Sequence, residues 1–265
     1  MTSRDISTKI MVPAFIQVFL ISISRFLIGP IIPLISSELN INPGTFGWII
    51  SLNIFVLLIF TLISGNLIDL LGLKAILYIS MVIQASGFLA FFFVDSPYLL
   101  IISNTILGIG SGMAAVCLIV LANASQNGKT RGFFNLFLGA ALALALAPVV
   151  SIFIDRFEID WRLIFMSMGI IQIVLLIIFG FFRFPEKVTH VPGIKGLIAA
   201  NSLFFRSPLL TACFLFNVFN ASVMETFYTW FTTYFSIYDV GIDTAHLFYS
   251  FFRQLFWQGY MQRNI

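Results

Sequence analysis

Arg25 is the most costly side chain in this sequence, because it interrupts an apolar run that extends from Ile10 to Ile35. A guanidinium near the middle of a membrane span costs about 2.5–3.5 kcal/mol on insertion scales, so it must face a bundle interior or a wet cavity. Ser22, Arg25 and Gly29 share one helical face by their spacing. Pro30 and Pro33 follow in the same run, where proline bends or loosens a helix. Such an arginine either coordinates an anion or gates a transport path, or it forms one half of an interhelical ion pair. Glu225 is the only acidic residue deep in a later apolar run, residues 208–236, which also holds Asn217, Asn220 and Tyr228. A carboxylate there can carry a proton or hold a plain salt bridge. Asparagines in a membrane helix bind polar groups or act as packing glue. Enzymatic chemistry has no footing: no nucleophile–base pair, nucleotide loop or metal cluster can be assembled, so no catalytic residue, metal or cofactor is expected. His190 and His246 stand alone without metal-ligand spacing, and Cys117 and Cys213 lie inside apolar runs as small buried residues.

The elements that position these residues must cross a bilayer. Apolar residues make up 60 % of the chain and charged residues 9 %, where a soluble domain carries about a quarter charged. The mean hydropathy is +1.03. Runs of this length require α-helices, since backbone polar groups have no water to bond in lipid, and no barrel-like alternation is present. The first run is too long for a cleaved signal peptide and reads as a retained span. Apolar runs and loop signals predict helices over roughly 10–36, 45–68, 73–94, 97–123, 132–154, 162–183 and 208–236. The breaks between them carry loop chemistry, as at Asn42-Pro43-Gly44, Asp95-Ser96-Pro97 and Asn127-Gly128-Lys129. Most lysines and arginines fall on one side: Arg4, Lys9, Lys74, Lys129, Arg131, and Arg183 to Arg206, with Arg156 and Arg162 the bases of the other. Most loop acids, among them Glu38, Asp95, Asp155 and Asp160, fall on the other. The positive-inside rule then puts the N-terminus in the cytoplasm of a multi-pass cell-membrane protein. The net charge of +3 reflects this loop asymmetry and gives no reason to invoke nucleic acid.

Between the second and third runs lies Gly65-Asn-Leu-Ile-Asp-Leu-Leu-Gly-Leu-Lys-Ala-Ile-Leu77. It resembles the signature loop of the major facilitator superfamily, matching at Gly65, Leu67, Asp69, Gly72, Lys74 and Leu77. It departs at Leu70 and Leu73, where that family usually has arginines. Trp161-Arg162-Leu163-Ile164-Phe165 resembles a further family feature at the start of the sixth helix. Leu100 to Gly108 resembles the fourth-helix pattern, with Asn104 in place of its arginine. Ala143 to Ser151 falls where many antiporters carry a glycine–proline motif, of which Pro148 and small residues remain; a proline kink explains them. Gly108, Gly110 and Gly112 are expected to allow close helix packing.

The resemblance covers essentially all of residues 10–250. It implies an all-α fold with a six-helix bundle over 1–183, a cytoplasmic connector over 184–207, and the start of a second bundle over 208–265. It also implies that Gly65, Asp69, Gly72 and Lys74 form a cytoplasmic gate. The first and seventh helices are pseudo-equivalent in the family. Matching Leu39–Asn42 with Val240–Asp243 sets Arg25 level with Thr226, beside Glu225. The expected function is secondary active transport by alternating access, with Arg25, Asn104, Asn217, Asn220 and Glu225 as candidates for substrate or coupling. The expected partners are the lipid bilayer, a small solute, and a proton or another coupling ion. A run of only one further partial helix after residue 236 raises the expectation of a truncated transporter, or alternatively of a transport-incompetent membrane protein of the same family.

Overall fold

A computed structural model describes residues 10–124, 129–182 and 184, and beyond them 207–209, 211–212, 215–216, 219 and 230. Six α-helices follow one another: α1 Met11–Glu38, α2 Pro43–Leu71, α3 Leu73–Phe91, α4 Pro97–Asn123, α5 Lys129–Arg156 and α6 Trp161–Gly180. All six are long and apolar enough to cross a membrane. The described residues contain no strand. The protein is an all-α polytopic membrane protein.

Local chemistry sets the helix ends. The Asn42 side chain accepts a hydrogen bond from the Thr45 amide at 2.8 Å, and Pro43 occupies the first turn. An Asx cap followed by proline is a strong start signal, so α2 begins two residues before the apolar run alone indicates. Asp160 caps α6 in the same way, accepting from the Arg162 amide at 2.9 Å. The helix α3 stops at Phe91 instead of running to Val94, because the next amides fold back on carbonyls three residues earlier, Phe92 on Leu89 and Phe93 on Ala90, each at 3.1 Å. Such tightened bonds close a helix end. A similar bond, Phe181 N–H to Ile178 at 3.1 Å, ends α6 at Gly180. Pro30 and Pro33 lie inside α1 and Pro148 inside α5, and both helices continue beyond them. Neighbouring helices make interior proline tolerable in a membrane span.

Packing follows a simple scheme. The helix α1 lies along α5, α2 along α4, and α3 against both α4 and α6. Exchanging helices 1, 2 and 3 for 4, 5 and 6 turns the first pairing into the second, as two related three-helix units would require. Large side chains fill the interior: Leu27 and Ile35 from α1, Phe88 and Phe91 from α3, Leu121 from α4, and Trp161, Phe165 and Phe179 from α6. Phe91 stacks on Phe165 with ring centroids 4.3 Å apart, and Trp161 meets both edge-on. Glycines set the closest approaches. A Cβ at Gly110 would lie 2.8 Å from the Ser80 carbonyl of α3, one at Gly108 would lie 2.8 Å from the Asn53 carbonyl of α2, and one at Gly112 would strike the Leu57 carbonyl. Close packing is therefore what these three glycines provide in α4. That helix is the most enclosed of the six and α2 the least. Phe55, Leu58 and Leu62 of α2 are accordingly exposed on the described bundle.

Beyond α6 the described residues are few. A helical turn starts at Pro208, where the Thr211 amide and hydroxyl both bond the Ser207 carbonyl at 3.0 Å. The Trp230 ring lies against Gly47 near the start of α2. Asn217, Asn220, Glu225 and the connector 185–206 lie outside the described residues.

Candidate functional site

Arg25 is fifteenth of the 28 residues of α1, so it lies about 20 Å from either helix end at 1.5 Å per residue. Its helix face, with Ile21, Ser24 and Ile28, forms one wall of a cleft. Ile50, Asn53, Ile54 and Leu57 of α2 form a second wall, and Asn104, Leu107 and Ser111 of α4 the floor. The cleft volume is about 40 Å³, room for a few waters at about 10–15 Å³ each. Among the described residues, no acidic side chain lines the cleft. An intramembrane arginine facing such a space meets the requirement that it avoid lipid.

The helical wheel places Ser22 and Gly29 beside Arg25, but the cleft is lined by Ser24 and neither of those two. Ser24 returns its proton to the Ile21 carbonyl at 2.9 Å, so only its oxygen is available to the cleft. Asn104 is 4 % exposed and is bound to α2 at several points. Asn53 Nδ2 donates to the Asn104 backbone oxygen at 2.5 Å and to its Oδ1 at 3.2 Å, while Asn104 Nδ2 donates to the Ile49 carbonyl at 3.3 Å. The position where the family pattern has an arginine thus holds an uncharged link between α2 and α4. Both amide protons of Asn53 are committed to it, which leaves Asn53 Oδ1 as an acceptor.

Behind the cleft runs a chain of buried amides that the sequence reading did not single out. Gln172 Nε2 of α6 donates to Gln17 Oε1 of α1 at 3.0 Å. Gln17 Nε2 donates to Gln84 Oε1 of α3 at 2.6 Å, and Gln84 Nε2 donates to Ser111 Oγ of α4 at 3.2 Å. All three glutamines are 0 % exposed. The signal available in the sequence was that each is a lone amide within an apolar run.

The signature loop occupies the α2–α3 junction. Gly72 links the two helices with φ 89° and ψ 152°, its amide bonded to the Ile68 carbonyl at 2.8 Å. That region of backbone space is essentially glycine's alone. Gly65 differs: a Cβ there would meet nothing within 4 Å. Asp69 is half-buried in the last turn of α2, and no described residue hydrogen-bonds its carboxylate. Lys74 Nζ lies 5.7 Å from the Tyr78 ring centroid and 5.9 Å from that of Phe184, within cation–π range of both. Leu70 and Leu71, beside the motif's acid, are exposed.

At the opposite end, Arg162 joins three helices. Its NH1 pairs with Glu38 at the end of α1 at 2.6 Å, its Nε donates to the Val94 carbonyl beyond α3 at 2.7 Å, and its guanidinium lies 4.5 Å from the Trp161 ring centroid. Trp161 Nε1 donates to the second Glu38 oxygen at 2.8 Å. The recurrent Trp-Arg pair at the start of the sixth helix is here a structural clamp.

Comparison with known proteins agrees with this architecture. The chain is 27 % identical over 244 residues to an uncharacterized protein of Campylobacter jejuni, a match covering 89 % of this chain and 72 % of that protein. It is 23 % identical over 169 residues to an uncharacterized MFS-type transporter of Bacillus subtilis, covering 63 % of this chain and 41 % of the relative. Its fold resembles the crystal structure of a D-xylose-proton symporter with a TM-score of 0.66 at 15 % identity, covering 92 % of this chain and 65 % of that one. The family model of the Major Facilitator Superfamily matches residues 14–263. With that match over nearly its whole length, and the helical bundle to go with it, the chain belongs to the major facilitator superfamily.

Proposed function

We propose that the protein moves a small solute across the cell membrane by alternating access, with the cleft beside Arg25 as part of the solute path. The observation that carries this reading is the cleft itself: a mid-helix space lined by Arg25, Asn53 and Asn104 in a mostly apolar bundle. Residues 1–183 act as one bundle, 184–207 as the connector, and 208–265 begin a second bundle. Gly65, Asp69, Gly72 and Lys74 shape a gate on the cytoplasmic side, where the N-terminus also lies. The D-xylose-proton symporter shares the fold, which supports proton coupling as the first mode to test. Asn217, Asn220 and Glu225 are carried as further candidates for substrate or coupling, with Glu225 as the counter-charge for Arg25.

Reconstitution of the full chain into proteoliposomes tests this reading. A proton gradient is imposed, and uptake of D-xylose and of small organic acids is followed together with internal pH. Solute-dependent proton movement that disappears in Arg25→Met is the expected result. Flux that survives this substitution unchanged removes the cleft from the path, and absence of flux with every solute removes the transport reading.

A further inference from the structure

From the direction of the buried amide chain, we propose that Gln17 and Gln84 are positioning residues which fix the Ser111 hydroxyl as a hydrogen-bond donor aimed into the cleft, a subsite for an oxygen acceptor on the solute. The inference rests on the cleft being a solute path. Three observations support it. First, every link donates toward the cleft: Gln172 to Gln17, Gln17 to Gln84, Gln84 to Ser111 Oγ. Second, the chain leaves Gln172 Oε1 without a partner among the described residues. Turning all three amides round would reverse every link, leave a buried Gln172 NH₂ unpaired, and make Ser111 the donor to Gln84. An orphaned carbonyl is the better tolerated of the two, so the observed direction is favoured. Third, Ser111 differs from three serines of the bundle in where its proton goes. Ser24, Ser80 and Ser151 each return their proton to a backbone carbonyl three residues back. Ser111 accepts from Gln84 and donates to no described residue, while lining the cleft.

A hydroxyl whose lone pair is already engaged by a donor offers its proton to whatever enters. The bland alternative is that the amides only tie α1, α3, α4 and α6 together, as polar groups in membrane bundles do. The two differ in what the group at position 111 senses. A donor reaching that position stabilises negative charge on it, and a tie does not need to.

The experiment replaces Ser111 by cysteine in the full chain, in a background with Cys117 and Cys213 changed to alanine. A small water-soluble methanethiosulfonate then labels it across a pH series. Ser24→Cys, which lines the same cleft away from Gln84, is the control. Donation from Gln84 lowers the half-labelling pH at position 111. Gln84→Met should raise that pH by about one unit, and slow labelling at neutral pH about threefold, since a tenfold loss of thiolate is partly offset by greater nucleophilicity. Gln17→Met, which leaves Gln84 in place but removes the donor that orients it, should shift the profile in the same direction. Neither change should move the profile of the cysteine at position 24. An unshifted profile at 111, or equal shifts at both positions, overturns the positioning role and leaves a structural tie. A cysteine at 111 that never labels while the one at 24 does also overturns it. Failure of both cysteines to label from water removes the open cleft, and with it both this inference and the transport path.

Discussion

The Glu38–Arg162 clamp should be measurable as a coupling energy. Arg162 is 15 % exposed at its side chain and Glu38 42 %, so the pair lies at the edge of the bundle, between full burial and full solvation. A charge-assisted hydrogen bond contributes about 1.5–3 kcal/mol when shielded, and an exposed ion pair about 0–1 kcal/mol. The exposure of Glu38 argues for a value between these, about 1–1.5 kcal/mol for the ion pair. The Trp161 N–H to the second Glu38 oxygen adds about 1 kcal/mol. Glu38→Ala loses both, so it should destabilise the bundle by about 2–2.5 kcal/mol. Trp161→Phe should lose the hydrogen bond, about 1 kcal/mol, together with part of the buried ring's packing and its contact with the Arg162 guanidinium, so its total cost should exceed that of the hydrogen bond alone. The assay is reversible denaturant unfolding of the purified protein in mixed micelles, with Glu38→Gln, Arg162→Met and the double variant closing a cycle. The coupling should fall in high salt, as the exposure of Glu38 requires. A cycle that closes additively within about 0.3 kcal/mol would refute the clamp, since the short distance would then carry no net energy.

Three further outcomes follow from the same geometry. Gly72→Ala should destabilise by about 1–3 kcal/mol, because φ 89° with ψ 152° excludes a Cβ, whereas Gly65→Ala, facing open space inside α2, should be neutral or stabilise by up to about 1 kcal/mol; unfolding midpoints of the two variants check the contrast. Gly112→Val should cost about 1–3 kcal/mol by pushing α4 off the Leu57 carbonyl, and should weaken the nearby Thr61 hydroxyl bond to the Gly112 carbonyl at 3.3 Å; the readout is unfolding together with retention on size exclusion. Asp69→Asn should reduce flux in proteoliposomes more than it reduces membrane abundance, because the carboxylate has no bond within the described bundle to lose; equal losses of both, measured by flux per quantified protein, would make it a folding residue instead.

How far the sequence could be read depended on which physical signal each feature leaves. The six described helices and their order were legible, because a bilayer demands long apolar runs, while the caps at Asn42-Pro43 and Asp160 set starts that the apolar runs alone place one or two residues late. The family was legible from the Gly65–Leu77 loop, and Gly72 is where its backbone requirement is now visible. Rotation of each helix was not legible. These spans are apolar almost all round, so no amphipathic stripe says which face turns inward. That is why helical spacing pairs Ser22 with Arg25 when Ser24 shares its cleft, and why nothing in the sequence links Gln17, Gln84 and Gln172. Their meeting depends on the depth and rotation of three separate helices, information held in the packing alone. Asn104 was noticed as a departure from a pattern, yet its partner Asn53 was missed for the same reason.

The contacts that fix those rotations also limit how this bundle can change shape. At mid-depth the amide chain joins α1, α3, α4 and α6. At the end opposite the signature loop, Arg162 and Trp161 tie α6 to the ends of α1 and α3. Gly108 and Gly112 bring α4 into backbone contact with α2, and Gly139 brings α5 within 2.8 Å (Cβ position to carbonyl) of Phe15 in α1. Sliding or rotating any one helix would drive a carbonyl into a neighbouring backbone or strand a buried amide, each costing about 1–3 kcal/mol. With every helix held by at least one such contact, the six move together more cheaply than they move past one another. Under the proposed alternating access, a change in access to Arg25 would then be set by what approaches the open side of the cleft, not by rearrangement of its α1, α2 and α4 walls. The polar groups lining those walls would therefore keep the same donor and acceptor pattern on both sides of the proposed transport cycle.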